Sequence, residues 1–119
     1  MRLWSNVLFA MLAGGLILLA FEPPEDRGKE VFLRRCSGCH SQDVNKEGPR
    51  LRDVYGRRAA TQPGFDYSDA LRKSGSRWDE TTLDRWLTDP DAMVPDTDMA
   101  FRLNDAAERK AVIAYLKTY

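Results

Sequence analysis

Cys36-Ser37-Gly38-Cys39-His40 is the stretch on which the reading of this chain turns. Two thiols separated by two residues, with a histidine directly after the second, form the C-x-x-C-H pattern of covalent c-type haem attachment. One helical turn brings both thiols to the two vinyl groups on one edge of a porphyrin, and the adjoining imidazole is then held under the iron. Three other uses of the same residues compete. A Cys36–Cys39 disulfide would close too small a loop to stabilise much and would leave His40 unexplained. A thioredoxin-like redox pair needs a strand-helix-strand setting that the flanking sequence lacks. A zinc site would need a fourth ligand, and the two cysteines and His40 already exhaust the Cys and His of the chain.

Upstream, Leu3 to Phe21 carries no charge across 19 residues, Arg2 precedes it, and Glu22 to Asp26 come after it. Such a stretch fits a signal peptide or a signal-anchor helix, and both export the rest of the chain. Its length lies within the span of a bilayer core and exceeds the roughly 7–15 residues of a signal h-region, so the anchor is the first expectation. Residues 1–21 are therefore read as a signal peptide or N-terminal hydrophobic transmembrane helix, and 22–26 as a short Pro-rich spacer. Residues 27–119 form the exported domain. Export strengthens the haem reading, because bacteria attach haem c outside the cytoplasm.

Downstream the chain reads as all-α. Asp26 is a plausible N-cap for a first helix in which Val31, Phe32 and Cys36 recur at helical spacing up to His40. Ser41 to Phe65 holds Gly48-Pro49, Gly56 and Pro63-Gly64, too many breakers for more than a turn at Leu51 to Tyr55. Ser68 caps a short helix that stops at Gly75. Asp79 caps another, with Leu83, Trp86 and Leu87 on one face, ended by Pro90. Asn104 opens the last, where Asp105 suits the N-terminus and Glu108, Val112, Tyr115, Leu116 and Tyr119 share a side. No alternating strand pattern and no internal repeat occurs. Loops this long need a non-polypeptide group to fill the core.

The charge balance, 18 Lys plus Arg against 18 Asp plus Glu in 119 residues, excludes a nucleic-acid binder that works through a basic face. With one histidine, bis-histidine ligation within the chain is impossible, and methionine is the expected sixth ligand. Met1 and Met11 lie in the export segment, which leaves Met93 and Met99.

From Arg27 to Tyr119 the chain resembles a class I cytochrome c of the mitochondrial-like type found also in α-proteobacteria. The resemblance implies short helices and long loops around one haem c, bound through thioethers from Cys36 and Cys39. Val94-Pro95-Asp96-Thr97-Asp98-Met99-Ala100-Phe101 matches the family's methionine loop and selects Met99 as the partner of His40 on the iron. Pro49, preceded by Gly48, matches the proline whose carbonyl orients the axial histidine. Arg57, Tyr67 and Trp78 match positions that hold the haem propionates. Gly28, Phe32, Val112 and Tyr115 match the crossing of the first and last helices. Leu71, Trp86 and Asp96 depart from the usual asparagine, tyrosine and glycine.

The resemblance implies a one-electron carrier rather than an enzyme, with no small-molecule substrate. Its partners would be redox proteins such as a bc1 complex and a terminal oxidase or another reductase, met on the periplasmic side of the inner membrane. A permanent haem subunit of an oxidase or reductase complex is the alternative, and a gas-binding or peroxidase-like haem protein a further one. Arg34, Arg35 and Lys46 make one side of the haem edge basic, while Asp89, Asp91, Asp96 and Asp98 make the methionine side acidic, which suits a partner of mixed charge.

Overall fold

A computed structural model describes residues 15–119. Among the described residues five short α-helices carry the fold: α1 (Pro24–Val31), α2 (Asp69–Ser74), α3 (Glu80–Thr88), α4 (Pro90–Met93) and α5 (Ala106–Leu116). Among the described residues there is no strand, only an isolated bridge between Arg58 and Arg77.

The expected N-terminal hydrophobic helix is not found over its described part. Residues 15–23 form no helix, and the side chains of Leu16 to Leu19 and Phe21 are exposed, with nothing packed on them. An isolated short helix without a packing partner is marginal in water. The remainder of that segment, residues 1–14, lies outside the described residues. No helix among the described residues is long and apolar enough to cross a membrane. The first helix begins at Pro24, earlier than an Asp26 cap would place it, because proline at the first helical positions lacks only an N–H that has no partner there.

α1 runs into a π-helical turn (Phe32–Cys36), where the Ser37 N–H reaches back to the Phe32 carbonyl at 2.9 Å. That turn ends the first helix at Cys36. The His40 N–H then returns to the Cys36 carbonyl at 2.9 Å, which folds the attachment motif into a compact loop.

The other caps obey the residue chemistry. The Ser68 hydroxyl accepts from the Leu71 N–H, and Gly75, at φ 66°, ends α2 in the left-handed region that favours glycine. Asp79 and Thr82 form a reciprocal capping box on α3. Pro90 does not simply end α3; it opens α4, with Asp89 as cap. Asp105, rather than Asn104, caps α5 by accepting from the N–H groups of Ala107 and Glu108.

α1 and α5 cross where Gly28 lies against α5. A Cβ on Gly28 would collide with the Ala111 carbonyl oxygen and come within 2.6 Å of Tyr115 Cβ. The Phe32 and Tyr115 rings pack beside that crossing with centroids 5.5 Å apart. α5 also contacts α3, so Ala111 and Ile113 are buried as well as Val112, Tyr115 and Leu116, a wider face than one side of the helix. Arg34 and Arg35 both turn to Glu108 on α5, at 2.5 and 3.6 Å. The expected basic side is thereby partly neutralised.

Candidate haem site

Between the helices lies an apolar cavity of about 400 Å³, within the roughly 300–1,000 Å³ of cofactor and ligand sites. Cys36, Cys39, His40, Pro49, Arg57, Tyr67, Trp78 and Met99 all line it. Every residue proposed for the site from the sequence is therefore brought to one space.

On one wall, the His40 imidazole is set by its neighbours in sequence. Its Nδ1–H donates to the Pro49 carbonyl at 2.7 Å, which leaves Nε2 with a free lone pair. Burial holds its pKa below the usual histidine range and Lys46 acts in the same sense, while the Pro49 carbonyl opposes them. Gly48 packs flat on the ring: a Cβ there would lie within 2.6 Å of Nδ1 and 2.7 Å of Nε2. The Gly48 N–H in turn reaches the Cys39 carbonyl at 2.8 Å, so the loop closes back on the motif.

The two cysteines form no disulfide with each other. Cys36 is half-buried on the cavity wall, and burial pushes its thiol up to about 11. Cys39 is exposed and donates to the Glu47 carboxylate at 3.5 Å, an interaction that raises its pKa. Among the described residues no three His, Cys, Asp or Glu side chains gather as a metal-ion cluster.

On another wall the Met99 sulfur accepts a hydrogen bond from Trp86 Nε1–H at 3.2 Å. Leu71, Trp78, Leu83 and Leu87 line the same cavity. Met93 lies elsewhere, on a small surface depression with Arg85, Thr88, Asp89 and Ala92. The loop before Met99 turns at Asp96, whose φ of 67° is the left-handed geometry expected of an aspartate in a glycine position. The Asp96 N–H is held by Asp91 at 3.0 Å, and Arg102 beyond the methionine pairs with Asp89 at 3.1 Å. Asp89 on the acidic side is therefore engaged, like Arg34 and Arg35 on the basic one.

Gln62 did not emerge from the sequence. Its buried amide oxygen accepts from Arg57 at 2.8 Å, and its backbone N–H donates to the Tyr67 hydroxyl at 3.2 Å. Trp78 and Arg57 are joined through the backbone, N–H to carbonyl, at 2.9 Å. A glutamine inside a loop carries no local signal of this role.

This donor set fits a covalently attached porphyrin: two thiols, an oriented imidazole, an apolar enclosure, and a polar end with Arg57 and Tyr67. The comparisons with known proteins agree. The sequence pattern that describes the family "Cytochrome c" matches residues 25–119. The chain belongs to the cytochrome c family. It is 48% identical over 86 residues to cytochrome c2 iso-2 of Magnetospirillum fulvum, covering 70% of this chain and 90% of that one. It is 43% identical over 96 residues to cytochrome c2 of Rhodomicrobium vannielii, covering 77% and 76%. Cytochrome cH from Methylobacterium extorquens superposes with a TM-score of 0.76 at 40% identity, over 80% of this chain and 98% of that one. The architecture is the class I cytochrome c fold, and the protein is an electron carrier with one covalently bound haem c. Its partners are redox proteins.

Proposed function

We propose that this cytochrome moves single electrons between membrane-bound redox complexes on the periplasmic side, through a haem ligated by His40 and Met99. The observation that carries the reading is that the oriented His40 imidazole and the Met99 thioether face one apolar cavity that also bears Cys36 and Cys39. Bound there, the group supplies a ferric–ferrous couple, and a thioether ligand favours a higher potential than a second imidazole.

The chain's own residues do the remainder. Cys36 and Cys39 would hold the group through thioethers, bonds that an S–H addition to a vinyl group can form without an oxidant. The Pro49 carbonyl fixes the imidazole tautomer, and the leucines and tryptophans exclude water from the methionine side. Arg57, Tyr67 and Trp78 hold the propionates. Cys39 is exposed, which places the attachment edge within reach of a partner. Small, brief contacts suit such exchange, and a bc1 complex and a terminal oxidase are the expected donor and acceptor.

The test of the ligand set is the weak far-red absorption that sulfur ligation gives ferric haem. Met99→Ala abolishes it and Met93→Ala retains it; loss in Met93→Ala alone would reverse the choice.

The exposed apolar run from Leu16 to Phe21 is compatible both with a membrane-held form, anchored by residues 3–21, and with a carrier freed by cleavage. The same observation favours a second reading, a permanent haem subunit of one oxidase or reductase complex. Detergent extraction separates the two. Release as a single polypeptide supports the anchored carrier, and stoichiometric copurification with one complex supports the subunit.

A further inference from the structure

Most residues that line the haem cavity are buried or half-buried, but Arg35, Cys39, Glu47, Asp98 and Ala100 are exposed. They mark its opening, where a partner protein comes nearest to a group held inside.

The charges at this opening do not balance. Arg35 turns away to Glu108 on α5 at 3.6 Å, beside Arg34, which pairs with the same carboxylate. Glu47 and Asp98 have no ion-pair partner among the described residues. Asp91 and Asp96, exposed on the approach to Asp98, have none either; the Asp91 carboxylate accepts only from the Asp96 N–H. The nearby cations are committed within the chain. Arg102 pairs with Asp89 at 3.1 Å, and Lys46 folds back on the Ser37 carbonyl at 2.8 Å without lining the cavity. Arg57 is half-buried and donates to Gln62 and to the Arg52 carbonyl. The mixed charge read from the sequence thus resolves, at the opening itself, into carboxylates that face solvent and cations that face the chain. Unpaired charges around a low-dielectric opening add their fields, and they steer what approaches over about a Debye length, ~8–10 Å at physiological salt.

We propose that the electron-exchange face of this cytochrome is the acidic opening formed by Glu47, Asp98 and the aspartates beside Asp98. It fits a redox protein that carries lysines or arginines around its own electron exit, and it turns away an acidic one, because like charges in contact oppose docking. This rests on the reading of the protein as an electron carrier.

The experiment uses full-length ferrous holoprotein and two one-electron oxidants of equal and opposite charge, the tris(phenanthroline)cobalt(III) cation and ferricyanide. Each takes the electron that turns ferrous protein ferric, and leaves as the cobalt(II) complex or as ferrocyanide. Stopped-flow absorbance gives both rate constants at rising ionic strength. The cobalt rate should fall as salt is added, and the ferricyanide rate should rise. At low salt, Glu47→Lys with Asp98→Lys should slow the cobalt reaction by roughly threefold to tenfold and speed the ferricyanide reaction by a similar factor. A change in haem potential would move both rates the same way, so opposite movement reads the charge alone. Asp66→Lys with Glu80→Lys makes the same change in net charge at exposed residues that do not line the cavity, and should leave each rate within about twofold of the parent's.

A cobalt rate that rises with salt would overturn the proposal alone, as would a remote pair of substitutions that acts as strongly as the pair at the opening. Reaction with neither oxidant would overturn the carrier reading and the proposal with it. Where Glu47→Lys, next to Gly48, lowers haem attachment, Asp98→Lys by itself should produce the same opposite movements at smaller size, and rates equal to the parent's would overturn the proposal. Poly-lysine stands in for a basic protein face. By nuclear magnetic resonance it should shift the amide signals of Glu47, Asp98 and Ala100 more than those of Asp66 and Glu80, whereas shifts that are absent or evenly spread would overturn the assignment of the face.

Discussion

The two axial residues are held in opposite ways. His40 is fixed by near neighbours: Pro49 accepts its Nδ1–H, Gly48 lies flat on its ring, and the Gly48 N–H closes on Cys39. Met99 is fixed by remote ones: Trp86 on α3 donates to its sulfur, Arg102 pairs with Asp89, and the Leu103 N–H reaches the Leu87 carbonyl at 2.7 Å. The histidine side is thus a local structure that a short peptide almost specifies. The methionine side exists only when α3, α4 and α5 are packed. Disturbing the packing should consequently release Met99 well before His40.

The sharpest break of this contrast is on the histidine side itself. Gly48→Val puts a branched side chain where even a Cβ overlaps the imidazole, and the ring is backed by the Pro49 carbonyl. The histidine must move, so covalently attached haem per chain should fall to a small fraction of the parent value. A Gly48→Val protein with full haem content and parent-like low-spin spectra would show that the loop has slack.

Next in size is Gly28→Ala at the α1–α5 crossing. The atoms in the way are the Ala111 backbone oxygen and Tyr115 Cβ, neither of which can swing aside as a flexible side-chain end would. The cost should lie near the top of the ~1–3 kcal/mol of overpacking, a fall in Tm of about 10 °C or more. Thermal unfolding followed by circular dichroism measures it. The far-red band should disappear at lower temperature than the helical signal, whereas coincident loss would remove the distinction between the two sides.

The same contrast explains what the sequence made legible. Cys36, Cys39 and His40 are contiguous, and the caps at Ser68, Gly75 and Asp79 are written within four residues of the backbone groups they serve. α4 was hidden because Pro90 has two meanings, and only the Asp89 side chain on the Ala92 N–H makes it a beginning. The long segment from Ser41 to Phe65 was legible as loop but not as architecture. Gln62, which joins Arg57 to Tyr67, works through contacts that no periodicity encodes. The departures Leu71 and Trp86 were visible as residues, while the indole-to-sulfur hydrogen bond needed the fold.

Arg109 is the next tie to cut. Its side chain is mostly buried, its Nε pairs with Asp84 on α3 at 2.8 Å, and its Nη1 donates to the Leu103 and Asn104 carbonyls, each at 2.9 Å. It joins α5 to α3 and to the end of the methionine loop. Arg109→Ala should cost about 1.5–3 kcal/mol, the range for hydrogen bonds with a charged partner. Denaturant titration should show the far-red band lost at a lower midpoint than the parent's, with haem content unchanged. Equal shifts of the band and of global unfolding would make Arg109 a general strut and not a support of one side. Arg102→Ala, which removes a half-exposed pair with Asp89, should do the same by less than about 1 kcal/mol.

The smallest effect is a pH dependence carried by the helix caps. The Thr82 backbone N–H holds the Asp79 carboxyl below its usual range; desolvation opposes it, and the Thr82 hydroxyl and the Thr81 N–H add smaller lowering contributions. A carboxyl depressed in the folded state adds stability that is complete above its unfolded value of about 3.9 and is lost as pH falls through the folded value. Asp79 caps α3, the helix that carries Trp86, so acid should loosen the methionine side first. Asp105, depressed by the Glu108 and Ala107 N–H groups, caps α5 and has the same sign for the α1–α5 pair. On acidification below pH ~4 the far-red band of ferric protein should therefore fade while the helical signal persists. Asp79→Asn keeps a cap acceptor without a titrating proton and should flatten the acid response of the band, whereas Asp105→Asn should flatten that of the helical signal. If both variants move both signals alike, the two walls of the cavity form one cooperative unit, and the contrast drawn from their hydrogen bonds does not extend to stability.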